Sequence, residues 1–149
     1  FETTGIWIFV FLFSGLPASV MTAKFFKVCP NDRTAGAVLS LLYVLGLAGW
    51  LAGGAWLLPA SVAAGAAQGA MLSAAFLLMA SHTKGSQAML AVSTLSQGIG
   101  YLAAGAGPFI FGRLLQATGG WTAPFVFFTA VILLWGLCVR LADTHQTID

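Results

Sequence analysis

Charge is what this sequence has least of: Asp, Glu, Lys and Arg make up 7% of its 149 residues, where an average globular domain carries about 25%. A soluble chain of this length leaves much of its surface in water and needs charge to stay dispersed there. Here residues 5–23, 34–83, 85–112 and 114–139 hold no Asp, Glu, Lys or Arg at all. The two cysteines, Cys29 and Cys138, form neither a close-spaced metal pair nor a disulfide framework, and both are expected to be free thiols. There is no Walker A phosphate loop, no zinc-protease histidine pair and no spaced Cys/His cluster. His82 and His145 fall in a loop and in the polar tail, where solvated surface roles are expected of them. An enzyme reading therefore has no site to rest on, and no cofactor or metal is called for. The net charge of +2 is too small and too scattered for a nucleic-acid surface.

What is present is hydrophobic sequence, 59% of the residues, in continuous runs. A helix needs about 20 mostly apolar residues to cross the ~30 Å hydrocarbon core. The runs accommodate five such crossings, expected at about 5–23, 34–51, 56–80, 88–115 and 124–141. A transmembrane barrel would instead show segments of about ten residues alternating apolar and polar. The fold class expected is all-α, a polytopic membrane helical bundle forming a single transmembrane domain.

Breakers and charges mark the ends. Lys24, Lys27 and the turn-like stretch from Cys29 and Pro30 to Arg33 are expected to close the first span, Gly53 and Gly54 to reverse the chain after the second, and the polar stretch 81–86 to end the third. Thr118, Gly119 and Gly120 end the fourth. Pro59 is tolerated in the first turn of the third. No charged leader or cleavage site accompanies residues 5–23, which reads as a span and not a signal peptide.

Lys and Arg favour cytoplasmic loops. With loops alternating sides, Lys24, Lys27, Arg33, Lys84 and Arg140 fall on one side and Arg113 on the other. The first loop and the tail 142–149 are then expected to be cytoplasmic, with residues 1–4, the Gly53-Gly54 turn and the loop 119–122 facing outward. Trp7, Trp56 and Trp121, with Trp50 near them, lie at the outer interface that amphipathic rings prefer. An outside start, an odd number of crossings and a first residue Phe1 in place of Met suggest a piece of a longer protein whose missing part lies upstream.

The fourth span carries the most informative pattern. Ser93, Gln97, Tyr101 and Gly105 recur every four residues, so they share one side of the helix. In hydrocarbon such residues need partners or water. Gln97 and Tyr101 either hydrogen-bond a substrate or bond to neighbouring helices. Gly98, Gly100, Gly105, Gly107 and Gly112 remove side chains and Pro108 removes a backbone donor, which permits close packing of a kinked helix or a hinge at 105–108. In the third span Ser61, Gly65, Gly69 and Ser73 form a small-residue ridge suited to helix contact. Gln68 lies beside it near the bilayer midplane, the depth at which transporters place substrate sites; it is a candidate ligand or a structural amide. Ser14, Gly15 and Pro17 make a bend or a packing notch in the first span. No Asp, Glu, Lys or Arg is expected at mid-membrane depth, so the usual mark of proton relays and ion pathways is absent.

The stretch 95–104, with Gln97, Gly98, Gly100 and Tyr101, runs into Gly107, Pro108 and Gly112 and then Thr118, Gly119, Gly120, Trp121 and Thr122. It resembles the penultimate helix and following loop of the cyanate permease-like branch of the major facilitator superfamily. Gly15, Leu16, Pro17, Ala18 and Ser19, and Ala66, Ala67, Gln68, Gly69 and Ala70, look like the same family's eighth and tenth helices, so the chain matches helices eight to twelve. Leu115 and Gln116 depart from the more polar pair expected there. The resemblance implies a twelve-helix fold in two six-helix halves, both termini cytoplasmic, in a bacterial inner membrane, with alternating access for small, often anionic, organic solutes. The partners implied are the solute, the lipid bilayer and the missing upstream helices, and no nucleic acid. Five helices alone are expected to be inert, because alternating access needs one bundle to rock against another. The alternative is a non-transporting membrane scaffold or assembly subunit that packs through Gly-rich helix faces.

Overall fold

The computed structural model describes residues 2–142. Phe1 and the tail beyond Ala142, including His145, lie outside the described residues. Five α-helices account for nearly all of it: α1 (Glu2–Val28), α2 (Asp32–Ala52), α3 (Leu57–Ser81), α4 (Ser86–Thr118) and α5 (Thr122–Ala142). All five are long and apolar enough to cross a membrane. The protein is an all-α polytopic membrane bundle.

Local chemistry explains the helix ends. The first helix continues past Ala23, through Lys24 and Lys27, to Val28, a correction to the expectation that the lysines close it. Long lysine side chains reach the interface from a helical backbone, and nothing opposes the helix until Pro30 restricts Cys29 before it. Asn31 then caps α2, its Oδ1 accepting from the Thr34 N–H at 2.8 Å. Gly53 and Gly54, at φ 67° and 57°, supply the left-handed backbone that turns the chain through a short 3-10 segment (Gly54–Trp56). The left-handed Gly119 ends α4, its N–H donating to Leu115 O at 2.9 Å. Neither Pro17 nor Pro108 breaks its helix, although each leaves the carbonyl four residues earlier without its backbone donor.

The helices alternate in direction. Arg33 at the start of α2 and Arg140 near the end of α5 line one cavity, and His82 at the end of α3 shares another with Cys138 of α5. At the opposite end Trp50 and Trp121 face a common cavity. Small residues set the packing of the middle helix α3. A Cβ on Gly69 would stand 2.7 Å from Gly15 Cα of α1, and one on Gly65 would run into the Phe11 carbonyl. Against α2, a Cβ on Gly46 would come within 2.7 Å of Ala64 Cβ, and one on Gly49 within 2.8 Å of Ala60 Cβ. Close backbone approach of this kind replaces the hydrophobic drive that lipid removes. Phe26, Ala35, Leu39, Ala70 and Ala74 form the buried cluster where α1, α2 and α3 meet. Helix α5 joins α2 through Gly36 against Val139 and Ser40 against Gly136. Helix α4 stands apart: it has no buried residue.

Candidate functional site

The side chains that the sequence marks as ligand candidates sit on two helices. Gln68 is exposed on α3, and Gln97 and Tyr101 lie on α4. None of the three makes a hydrogen bond among the described residues. Helical geometry explains how the α4 stripe is presented. With 3.6 residues per turn, each step of four residues drifts about 40° around the axis, so four members spread over about a third of the circumference. Ser93 and Gln97 are accordingly half-buried, while Tyr101, 73% exposed, and Gly105 have swung outward. The Ser93 hydroxyl turns back to Leu90 O at 3.2 Å. That leaves the Gln97 amide and the Tyr101 hydroxyl as the polar groups of the stripe open to a partner.

The glycines of α4 are as open as its polar groups. A Cβ at Gly98, Gly100, Gly105, Gly107 or Gly112 would meet nothing within 4 Å. Pro108 is exposed as well. By contrast Gly15, Gly65 and Gly69 are engaged in the α1–α3 crossing, with Pro17 exposed on α1, next to the exposed Leu16.

A feature not anticipated from the sequence is an aromatic cavity of about 610 Å³ at the end of the bundle opposite Arg33 and Arg140, between α1, α2, α4 and α5. Phe11, Tyr43, Trp50, Phe111, Trp121 and Phe128 contribute to its wall. Phe11 and Trp50 lie 5.5 Å apart between ring centroids, and Phe111 contacts Trp121 at 5.9 Å and Phe128 at 5.7 Å. The pattern that could have revealed it is Tyr43, Leu47, Trp50 at helical spacing on α2, facing Phe125 and Phe128 one turn apart on α5. The Trp50 N–H is taken by Ser61 Oγ at 3.0 Å, so the Tyr43 hydroxyl and the Trp121 N–H remain as polar handles in an otherwise apolar wall. Such a pocket suits a flat apolar group. Gln68, Gln97 and Tyr101 do not line it.

At the other end His82 Nδ1 lies 2.9 Å from Leu78 O and 3.1 Å from Ser81 Oγ, which seats it as a cap on α3. No group of three His, Cys, Asp or Glu that could hold a metal ion comes together among the described residues.

No family model matches the chain, and no solved structure matches it. It is similar to a Bacillus subtilis (strain 168) protein described as "Uncharacterized transporter YycB", with 33% identity over 136 residues. The alignment takes in 90% of this chain but 34% of the relative, so the chain spans about a third of the length of the protein it matches. A five-helix membrane bundle whose α4 leaves its polar and glycine positions open is thus similar, over most of its length, to one third of a protein described as a transporter.

Proposed function

We propose that this chain is part of a major facilitator secondary transporter of the cyanate permease-like branch, corresponding to helices eight to twelve, and that the complete protein carries a small anionic organic solute across the cell membrane. The observation that carries the proposal is α4: a 33-residue helix with no buried residue and a polar side chain at successive fourth positions. Polar groups facing hydrocarbon without partners are costly. A water-filled pathway, bounded by α4 on one side and by further helices on the other, satisfies them. In this reading Gln97 and Tyr101 donate to the solute, Gln68 contributes from α3, and the open glycines let partner helices slide past α4. The similarity to a transporter three times as long supports such partners, and the resemblance of the Gln97 to Tyr101 stretch supports the branch.

The open glycines also favour a second reading, in which α4 is the docking face of a scaffold or assembly subunit. Uptake separates the two. Cells producing the full-length protein are given a panel of labelled small carboxylates and inorganic anions, and initial rates are compared for wild type, Gln97→Ala and Tyr101→Phe at matched membrane abundance. Losing one hydrogen bond to the solute, a net ~1 kcal/mol, lowers affinity roughly three- to tenfold. Unchanged affinity in both variants would remove these residues from the site. Absence of uptake, with a stoichiometric partner co-purifying, would favour the scaffold.

A further inference from the structure

The four-residue stripe of α4 does not stop at Gly105. Its next two members are Phe109 and Arg113. Positions four apart form a continuous ridge on the surface of a helix, and this ridge runs from Ser93 through Gln97 and Tyr101 to a cation. Arg113 is exposed, and its guanidinium carbon stands 5.9 Å from the centroid of the Phe109 ring, one turn closer to the middle of α4. Phe109 is itself 70% exposed. Neither side chain belongs to the aromatic cavity, which α4 lines through Phe111.

Arg113 stands where the membrane does not ask for a cation. Lys24, Lys27, Arg33, Lys84 and Arg140 gather at the other end of the bundle, and the bias that gathers them leaves Arg113 as the exception. The 33 residues of α4 rise about 50 Å against ~30 Å of hydrocarbon. Arg113 lies five residues, about 8 Å, before the last residue Thr118, which puts it at the boundary between hydrocarbon and headgroups. A cation there has only to lift its head to water; Arg113 instead leans back over a ring one turn toward the midplane. Stacking on that ring leaves the edge of the guanidinium plane, with its N–H donors, open to an anion.

Distance separates this arginine from the ligand candidates. Tyr101 lies twelve residues away, about 18 Å along the axis, and Gln97 sixteen, about 24 Å. One small solute cannot touch Arg113 and Gln97 together, so Arg113 is a station before that site and not a part of it. We infer that Arg113 is the capture residue at the mouth of the pathway, drawing a small anionic solute to the ridge that leads to Tyr101 and Gln97. This rests on the reading of α4 as the wall of a water-filled path. A positive charge beside a low-dielectric wall concentrates anions and repels cations, and salt screens the effect.

The test reads that local field with charged thiol reagents, whatever the solute. Full-length protein in nanodiscs, with both faces open to solution, carries Gly105→Cys on the ridge, where a Cβ meets nothing within 4 Å. Its modification rates by anionic sulfonatoethyl and cationic trimethylammonioethyl methanethiosulfonate are compared, with the protein lacking this cysteine as blank. Arg113→Gln is expected to lower the anionic-to-cationic rate ratio about three- to tenfold at low salt, Arg113→Lys to keep most of it, and the difference to fade at high salt. Lys27→Gln, at the other end of the bundle, leaves the ratio unchanged. Leu102→Cys, at a position 80% exposed, is the second reporter should Gly105→Cys fold poorly. For each labelled carboxylate or inorganic anion that cells take up, Arg113→Gln raises KM by a similar factor and leaves kcat unchanged. An unchanged ratio in Arg113→Gln, an equal fall in Lys27→Gln, or thiols silent to both reagents at both positions would each overturn the assignment. Absence of uptake with the ratio shift intact would instead sink the transport reading on which it rests.

Discussion

The indole N–H of Trp50 donates to the Ser61 hydroxyl oxygen at 3.0 Å, and this bond ties the end of α2 to the beginning of α3 across the Gly53-Gly54 reversal. Ser61 is fully buried, so its hydroxyl has no water to turn to. One residue along α3, Ala60 sits against Gly49, which brings the helices close enough for an indole on one to reach a serine on the other. Trp50 also holds Phe11 of α1 with its ring, so a single side chain joins three helices.

Trp50→Phe keeps most of the ring and removes the donor. Interhelical bonds of this kind in membranes are worth about 0.6 kcal/mol on average and reach about 1.7. A buried hydroxyl left without a partner pushes the cost toward the upper end. Unfolding in mixed micelles should show Trp50→Phe and Ser61→Ala each destabilising, with the double variant less destabilised than their sum. Additive losses would mean that the two side chains act independently.

Glycine should matter at the α1–α3 crossing and not on the open face of α4. At Gly69 a Cβ would stand 2.7 Å from Gly15 Cα, and backbone cannot yield as a side chain does. Gly69→Ala should therefore destabilise by about 1–3 kcal/mol, the usual range for overpacking. Gly98→Ala meets nothing within 4 Å and should leave the unfolding free energy of this five-helix chain within about 0.5 kcal/mol of wild type. Equal sensitivity at both sites would contradict the close α1–α3 crossing.

These packing roles were only partly legible in the sequence. The five helices follow from uncharged runs and from breakers at Pro30, Gly53, Gly54 and Gly119, because hydrocarbon imposes helix on any run long enough to cross it. The helix-ending role expected of Lys24 and Lys27 failed because a snorkelling side chain does not need a loop. Ser61, Gly65, Gly69 and Ser73 read as one ridge, yet Ser61 bonds to α2 and Gly65 and Gly69 meet α1. The drift of about 40° per four residues spreads the ridge over two neighbours, and nothing in the spacing says which helix stands on each side. The aromatic cavity and the α2–α5 contact bring together residues far apart in the chain, such as Leu47 with Phe128 and Arg33 with Arg140, a relation that local periodicity cannot carry.

Ser40 should respond to substitution with the opposite sign to Ser61. Its Oγ is buried at the α2–α5 contact without a hydrogen-bond partner among the described residues, and the ideal Cβ position of Gly136 lies 2.5 Å from that oxygen. Ser40→Ala removes a desolvated hydroxyl and relaxes a tight contact. In detergent the variant should be more stable by about 1 kcal/mol, seen as a higher Tm. A loss of comparable size would mean that the hydroxyl has an acceptor in the folded state.

The orientation of the bundle has a direct chemical test in its two native thiols. Cys29 is half-buried and Cys138 exposed, and both lie toward the end that carries Lys24, Lys27, Arg33, Lys84 and Arg140. If the excess of Lys and Arg marks the cytoplasmic side, an impermeant maleimide added to intact cells should leave both thiols unmodified, and opening the cells should expose Cys138 to it. Gly120→Cys, placed in the α4–α5 turn at the other end, should be labelled in intact cells without any opening. The control matters because a thiol sunk in lipid is silent from either side: only the contrast between Gly120→Cys before lysis and Cys138 after it separates orientation from burial. Labelling of Cys138 in intact cells with a silent Gly120→Cys would invert the topology and put Arg33 and Arg140 at the outer face.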